Sequence, residues 1–165
     1  MNENSTIDIL KMAILLERRG KAFYSKAADV AENESVKAFF ELMASEEDKH
    51  INVLSTQYKH YRKENKFIPE SINESTEIAS TILNAELKDK ISAAGFEAAA
   101  ISAAIAMEER AIRLYTKRAA DSDNDEEKSL FQWLADWEKE HLRFLNTIEK
   151  ELIETVWFDN NFWPF

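Results

Sequence analysis

A chain of 165 residues, 45% hydrophobic and 32% charged, is long enough to bury one core and too apolar to be disordered throughout. With 31 acids against 21 bases its formal net charge is -10, which argues against nucleic acid or an anionic membrane as a partner, since both demand a basic face. The lack of cysteine excludes disulfides, zinc–thiolate sites and iron–sulfur centres, and with only 2 Gly and 2 Pro there is little turn chemistry for an all-β fold.

At the N-terminus, MNENSTIDIL has no basic stretch followed by an apolar run, so nothing points to export. No run of about 18 apolar residues occurs either, and a cytoplasmic location is the expectation. The first helix should run from about Ser5 to Val30, capped by Ser5 and Thr6, with Leu10, Ala13, Glu17, Gly20, Tyr24 and Ala27 on one stripe. AENES then makes a tight turn around Asn33. The second helix, from about Glu34 to Lys63, carries Phe39, Phe40, Met43, Glu47, His50, Ile51, Leu54 and Tyr58. RKENKFIPESINEST, broken by Pro69, reads as a loop, and TEIASTILNAELKDKI as a short helix. A third long helix should follow from about Phe96 to Ala120, then the turn DSDND and a fourth helix from about Glu126 to Thr155. The remaining VWFDNNFWPF is expected to be non-helical and to pack its aromatics on something, subunit packing being the natural choice.

An internal repeat links the two halves. Residues 17–50 align without a gap to residues 108–141, and 11 of the 34 positions are identical. Among them are Glu17/Glu108, Tyr24/Tyr115, Lys26/Lys117, Phe40/Phe131, Ala44/Ala135, Glu47/Glu138 and His50/His141. Core hydrophobes repeat because helix pairs resemble each other, but charged residues inside an apolar stripe need another reason. Each half reads Glu, a second Glu 30 residues on, then His three residues later. Glu-x-x-His places both side chains on one helical face. From Glu17 to Glu32 is 15 residues and from Glu32 to Glu47 another 15, so each leg is roughly 22 Å and the two Glu return to one depth. Glu108, Asp123 and Glu138 repeat the arithmetic. Two hairpins therefore bring four Glu and two His to one level of a bundle. Four buried carboxylates need a counter-charge, and two divalent or trivalent cations supply it; oxygen and imidazole donors suit iron, or alternatively manganese, better than zinc. One Glu from each of two helices with Glu-x-x-His from two others is the ligand set of ferritin-like di-iron bundles. A hydrogen-bonded structural network of the same residues is the alternative.

These stretches resemble the di-iron domain of the rubrerythrins, in the ferritin-like superfamily, over about residues 5 to 155. LLERRGKAFYSKAA and MEERAIRLYTKRAA are similar to the family's ligand helices, and EEDKH and WEKEH to its two Glu-x-x-His pairs. The resemblance implies that Glu17 and Glu108 are terminal carboxylates, that Glu47 and Glu138 bridge two irons, and that His50 and His141 each cap one. Tyr24 and Tyr115 are then hydrogen-bond donors to the carboxylates, or else core packing. The family's extra ligand Glu, one turn after the third-helix Glu, is Ala111 here. Without cysteine there is no rubredoxin-like domain, so electrons are expected from a separate donor protein or from added ferrous iron.

The expected fold is all-α: a ferritin-like four-helix bundle of two helix hairpins joined by a long crossover containing a short helix, with the second and third helices parallel. Residues 1–165 should form a single domain, with the bundle at about 5–155, an aromatic tail at 156–165 and a homodimer as the assembly. The resemblance implies a two-iron oxidoreductase that reduces hydrogen peroxide in protection against oxidative stress. A ferroxidase using dioxygen or peroxide is the alternative, and a metal-stabilised binding or sensing bundle a second. Glu46, Asp48, Glu109 and Glu140 are expected to be solvated, His60 to lie on the surface, and Trp133 and Trp137 to fill the core or an interface.

Overall fold

The apolar stripes become four long helices in the computed structural model, which describes residues 3–68 and 95–159. They are α1 (Glu3–Val30), α2 (Glu34–Glu64), α3 (Phe96–Asp121) and α4 (Asp125–Asp159). Equivalent asparagines of the repeat turn the chain between the helices of each pair. Asn33 caps α2 in an extended conformation, its side chain accepting from the N–H groups of Ser35 and Val36. Asn124 accepts from the Glu127 N–H at 2.7 Å. Both satisfy backbone donors that a helix start leaves free. At the far end of α2, Asn65 takes the left-handed conformation (φ 53) and returns its N–H to the Tyr61 carbonyl.

The hairpins α1–α2 and α3–α4 meet antiparallel. Along α1, Thr6, Glu17 and Tyr24 meet Arg118, Tyr115 and Glu108 of α3, in falling order. Along α2, Phe39 meets Phe144 and His50 meets Trp137 of α4. Helices α2 and α3 therefore run parallel, as the repeat and a long crossover require; the crossover itself, with the short helix expected over 76–91, lies outside the described residues. The core is divided. One apolar cluster, with Tyr24, Phe39, Phe40, Met43, Ile101 and Leu145, fills one end. The other, with Leu10, Leu54, Tyr115, Leu130, Phe131 and Leu134, fills the opposite end. Among the described residues no helix is long and apolar enough to cross a membrane.

Three expectations need correction. Helix α1 begins at Glu3, so Ser5 and Thr6 lie within its first turns instead of capping it. Thr6 is buried, and its hydroxyl takes a hydrogen bond from Arg118 at 3.3 Å. Helix α4 continues through Val156, Trp157 and Phe158 to Asp159, because no Gly or Pro interrupts the run before Asp159; residues 160–165 lie outside the described part. Glu46 is only 3% exposed: it occupies the repeat position of the fully buried Trp137 and binds Lys49 at 2.8 Å.

A buried ion pair ties three helices together away from the divided core's centre. Arg118 donates to Glu127 at 3.0 Å and 2.5 Å, and the Ser122 hydroxyl donates to the other oxygen of Glu127 at 2.7 Å. Removing one partner strands the other charge, so Glu127→Ala should lower unfolding free energy by about 3 kcal/mol in urea titrations. Removing the exposed partner of Lys139, Asp136→Ala, should change it by less than about 1 kcal/mol.

Candidate metal centre

Between the two apolar clusters lies a polar layer. Glu17, Glu47, Glu108 and Glu138 are each 1 to 2% exposed, and His50 and His141 0 and 1%. All six residues that the repeat singles out therefore meet at one depth. They form two groups of four side chains, each with ligand-type atoms within 4.8 Å of one another: Glu17, Glu47, His50 and Glu138 in one, Glu47, Glu108, Glu138 and His141 in the other. Glu47 and Glu138 belong to both. Each group draws from both hairpins, so neither hairpin holds one alone.

His50 Nδ1 lies 3.0 Å from Glu17 and 3.0 Å from Glu138, and His141 Nδ1 lies 2.9 Å from Glu138. The two contacts to Glu138 bring charges together without the alignment of a hydrogen bond. Among the described residues, both Glu138 oxygens, one Glu47 oxygen and the Nε2 of both histidines have no hydrogen-bond partner. Groups so deeply buried are rarely left unpaired in a folded protein. The unpaired carboxylate oxygens, with the Nδ1 atoms of His50 and His141 facing them from two sides, fit a pair of cations with oxygen and nitrogen ligands.

Tyr24 and Tyr115 stand above and below this layer, each rooted in one apolar cluster. Their hydroxyls cross between hairpins: Tyr24 donates to Glu108, and Tyr115 to Glu17. The helical spacing places a Tyr near its own Glu; only the antiparallel meeting of α1 with α3 turns it to the other one. Burial and the facing Glu108 raise the Tyr24 phenol well above its usual range, so it remains a donor.

Sequence reasoning left two features unassigned, the glycine beneath Glu47 and the opening over the layer, and for Trp137 left core or interface open. Gly20 packs under Glu47, where a Cβ would meet a carboxylate oxygen at 2.8 Å. Trp137 sets its ring edge-on to His50 at 5.1 Å and to Trp133 at 4.9 Å, so it fills the core beside the site. A cavity of about 180 Å³ opens onto the layer between α1 and α3, bounded by the four glutamates, Gly20 and Ala111 among others. The pairing of Gly20 with Ala111 in the repeat was the available signal for the glycine and the opening. His60 takes no part: half-exposed, it contacts the Lys66 carbonyl at 2.8 Å.

Protons and imidazolium charges balance the layer where cations are not bound. Burial pushes Glu17 well above the usual carboxylate range and Glu108 to about 8, with Glu138 adding to both. Burial opposes charge on the histidines too, but surrounding carboxylates outweigh it. They hold His50 well above its usual range and His141 at about 10. Burial also works against an ionised Glu138, yet the two imidazoles hold it well below the usual range.

The family model described as Rubrerythrin matches residues 8–149. No curated protein and no solved structure matches the chain.

Two outcomes follow from this electrostatic arrangement. Glu108 and His141 hold protons more tightly folded than unfolded, so their contribution to stability is full at low pH. It is lost as pH rises from 4.5 through about 8 and from 6.5 through about 10. Glu138 acts oppositely, its contribution fading only as pH falls below 4.5. The thermal midpoint of the metal-free protein should fall between about pH 5 and 9, a window framed by those shifts. Gly20→Ala should separate folding from metal binding. Its Cβ displaces the far end of a flexible Glu47 side chain, so denaturant stability should stay within about 1 kcal/mol of the parent, helped by better helix propensity. Ferrous affinity, read by equilibrium dialysis, should drop about 10-fold or more because Glu47 serves both groups.

Proposed function

The chain belongs to the rubrerythrin family of di-iron oxidoreductases, and from that premise we propose that it reduces hydrogen peroxide to water with electrons from a separate donor protein. Glu17, Glu47, His50, Glu108, Glu138 and His141 are the proposed iron ligands. The observation that carries this reading is the pair of buried four-residue groups sharing Glu47 and Glu138 beneath a single cavity. In the proposal Glu47 and Glu138 set the spacing of two iron positions, Glu17 and Glu108 close each on the outer side, and His50 and His141 each complete one.

Peroxide reduction takes two electrons and two protons to break the O–O bond and leave two waters. Iron, when bound, supplies the electrons and the Lewis acidity. The chain's own part is to hold geometry and protons. The apolar clusters on either side of the layer keep bulk water out, which strengthens every charge interaction inside. Tyr24 and Tyr115 hold Glu108 and Glu17 in place through their hydroxyl protons. The cavity between α1 and α3 gives a small oxidant its approach. None of these 165 residues is a cysteine that could hold an iron–sulfur centre, which supports a donor outside the bundle.

An anaerobic ferrous titration of the metal-free chain, followed by one equivalent of peroxide and read in the near-ultraviolet, tests the proposal. About two irons per chain should bind, and peroxide should oxidise them at least about 10-fold faster than dioxygen does. Oxidation by dioxygen alone, with ferric product released, would make the protein a ferroxidase. Iron binding without any accelerated oxidation would leave a metal-stabilised binding bundle. Glu138→Ala should weaken both iron positions by about 100-fold or more, since it removes a residue that both groups share.

A further inference from the structure

The cavity over the layer is built from the internal repeat. Glu17 and Glu108 are 91 residues apart, and the same offset relates Arg19 to Arg110, Gly20 to Ala111 and Leu16 to Met107, all of which line the opening. Glu47 and Glu138, at its floor, are paired in the same way. Whatever the opening receives is thus presented with two matched halves.

Its rim is cationic although the chain is acidic. Arg19 and Arg110 are exposed, and among the described residues neither forms an ion pair or hydrogen bond. Nearby Arg113, by contrast, is paired with Glu109 at 3.4 Å. Below the rim, Gly20 and Ala111 contribute no side chain beyond a methyl group, which is what leaves the window open. At the floor, an oxygen of Glu47 and both oxygens of Glu138 are buried without a hydrogen-bond partner, the Glu138 oxygens facing only the two imidazoles. Two trivalent ions would bring six positive charges against four carboxylates, a surplus of two that favours an anion above them. The cavity of about 180 Å³ is well above the roughly 10–15 Å³ that one water needs on the same measure, so it has room for a small ligand. Arginine presents a planar fork of donors that suits two oxygens at once.

We propose that this window binds a small oxyanion, a carboxylate or phosphate group, between Arg19 and Arg110 and above the ferric form of the site. The inference rests on the two-iron reading given above. Its oxygens face the matched halves of the floor while the two guanidinium groups hold it from the rim. Because the same opening admits the oxidant, a bound oxyanion competes with peroxide, and local anion concentration sets how much of the protein is available.

The test uses the full chain loaded with two ferric ions, its iron content measured for each variant. Acetate and inorganic phosphate are titrated separately at constant ionic strength, and the near-ultraviolet charge-transfer band is followed. A saturable shift with one anion per chain is expected. Acetate alone, phosphate alone, or both producing it identifies a carboxylate site, a phosphate site, or one that reads only the shared oxyanion chemistry. In the surface double variant Arg19→Gln/Arg110→Gln the dissociation constant should rise about 10-fold or more, with partial recovery in Arg19→Lys/Arg110→Lys. Ala111→Glu, which puts a carboxylate of the chain's own into the window, should keep its iron and lose the response. No saturable response in two-iron protein overturns the proposal and leaves the iron site standing, as does an unchanged constant in the double glutamine variant. A parent chain that takes up no iron overturns both.

Discussion

Four carboxylates at one level of an apolar helical bundle form the constraint on which the rest of the structure depends. Ionised and uncompensated, they would cost far more than the bundle's core could offset. The layer is therefore balanced at every point. Glu138 sits between two imidazoles, Glu17 and Glu108 each receive a tyrosine hydroxyl, and protons stay on groups that would ordinarily have lost them. Cations bound there would take over that balance and release those protons, so metal binding and the folding of the layer are linked.

The division of the apolar core follows from the same constraint. A continuous core would leave no depth for the polar layer, so hydrophobic residues gather in two clusters, one toward each end. Each cluster sends one tyrosine inward, and the two tyrosines reach opposite hairpins. Large aromatic side chains, such as Phe39 against Phe144 and Trp137 against His50, span the contact between α2 and α4. The site is thus a property of two hairpins together: each alone carries only three of the six side chains and has nothing to present them to.

Access to the layer comes through an opening between two helices. Between α1 and α3 the small residues Gly20 and Ala111 leave a passage to the four glutamates, while on the α2–α4 side His50 packs edge-on against Trp133 and Trp137. A buried layer able to hold two irons, with a narrow approach between α1 and α3, suits a small oxidant. That asymmetry, more than the ligand set by itself, gives a metal-holding bundle the form of an enzyme.

Much of this was legible in the sequence because a helix is a ruler. A fixed rise per residue turns equal legs of 15 residues into equal depths, and the 3.6-residue period puts Glu47 with His50, and Glu138 with His141, on one face. Four helices, two hairpins and the common level of the six polar residues follow from distances along the chain. Rotation of one hairpin against the other does not, because it depends on how side chains far apart in sequence interlock. Only the tertiary structure decided that Tyr24 serves Glu108 and Tyr115 serves Glu17, that Glu46 is buried at the position Trp137 holds in the other half, and that a Cβ at Gly20 would press on the Glu47 carboxylate. Helix ends behaved likewise: Ser5 and Thr6 look like caps, yet the helix starts at Glu3 and the Thr6 hydroxyl accepts from Arg118 of the other hairpin. Periodicity along one chain determines depth and face; packing between hairpins determines partner and access.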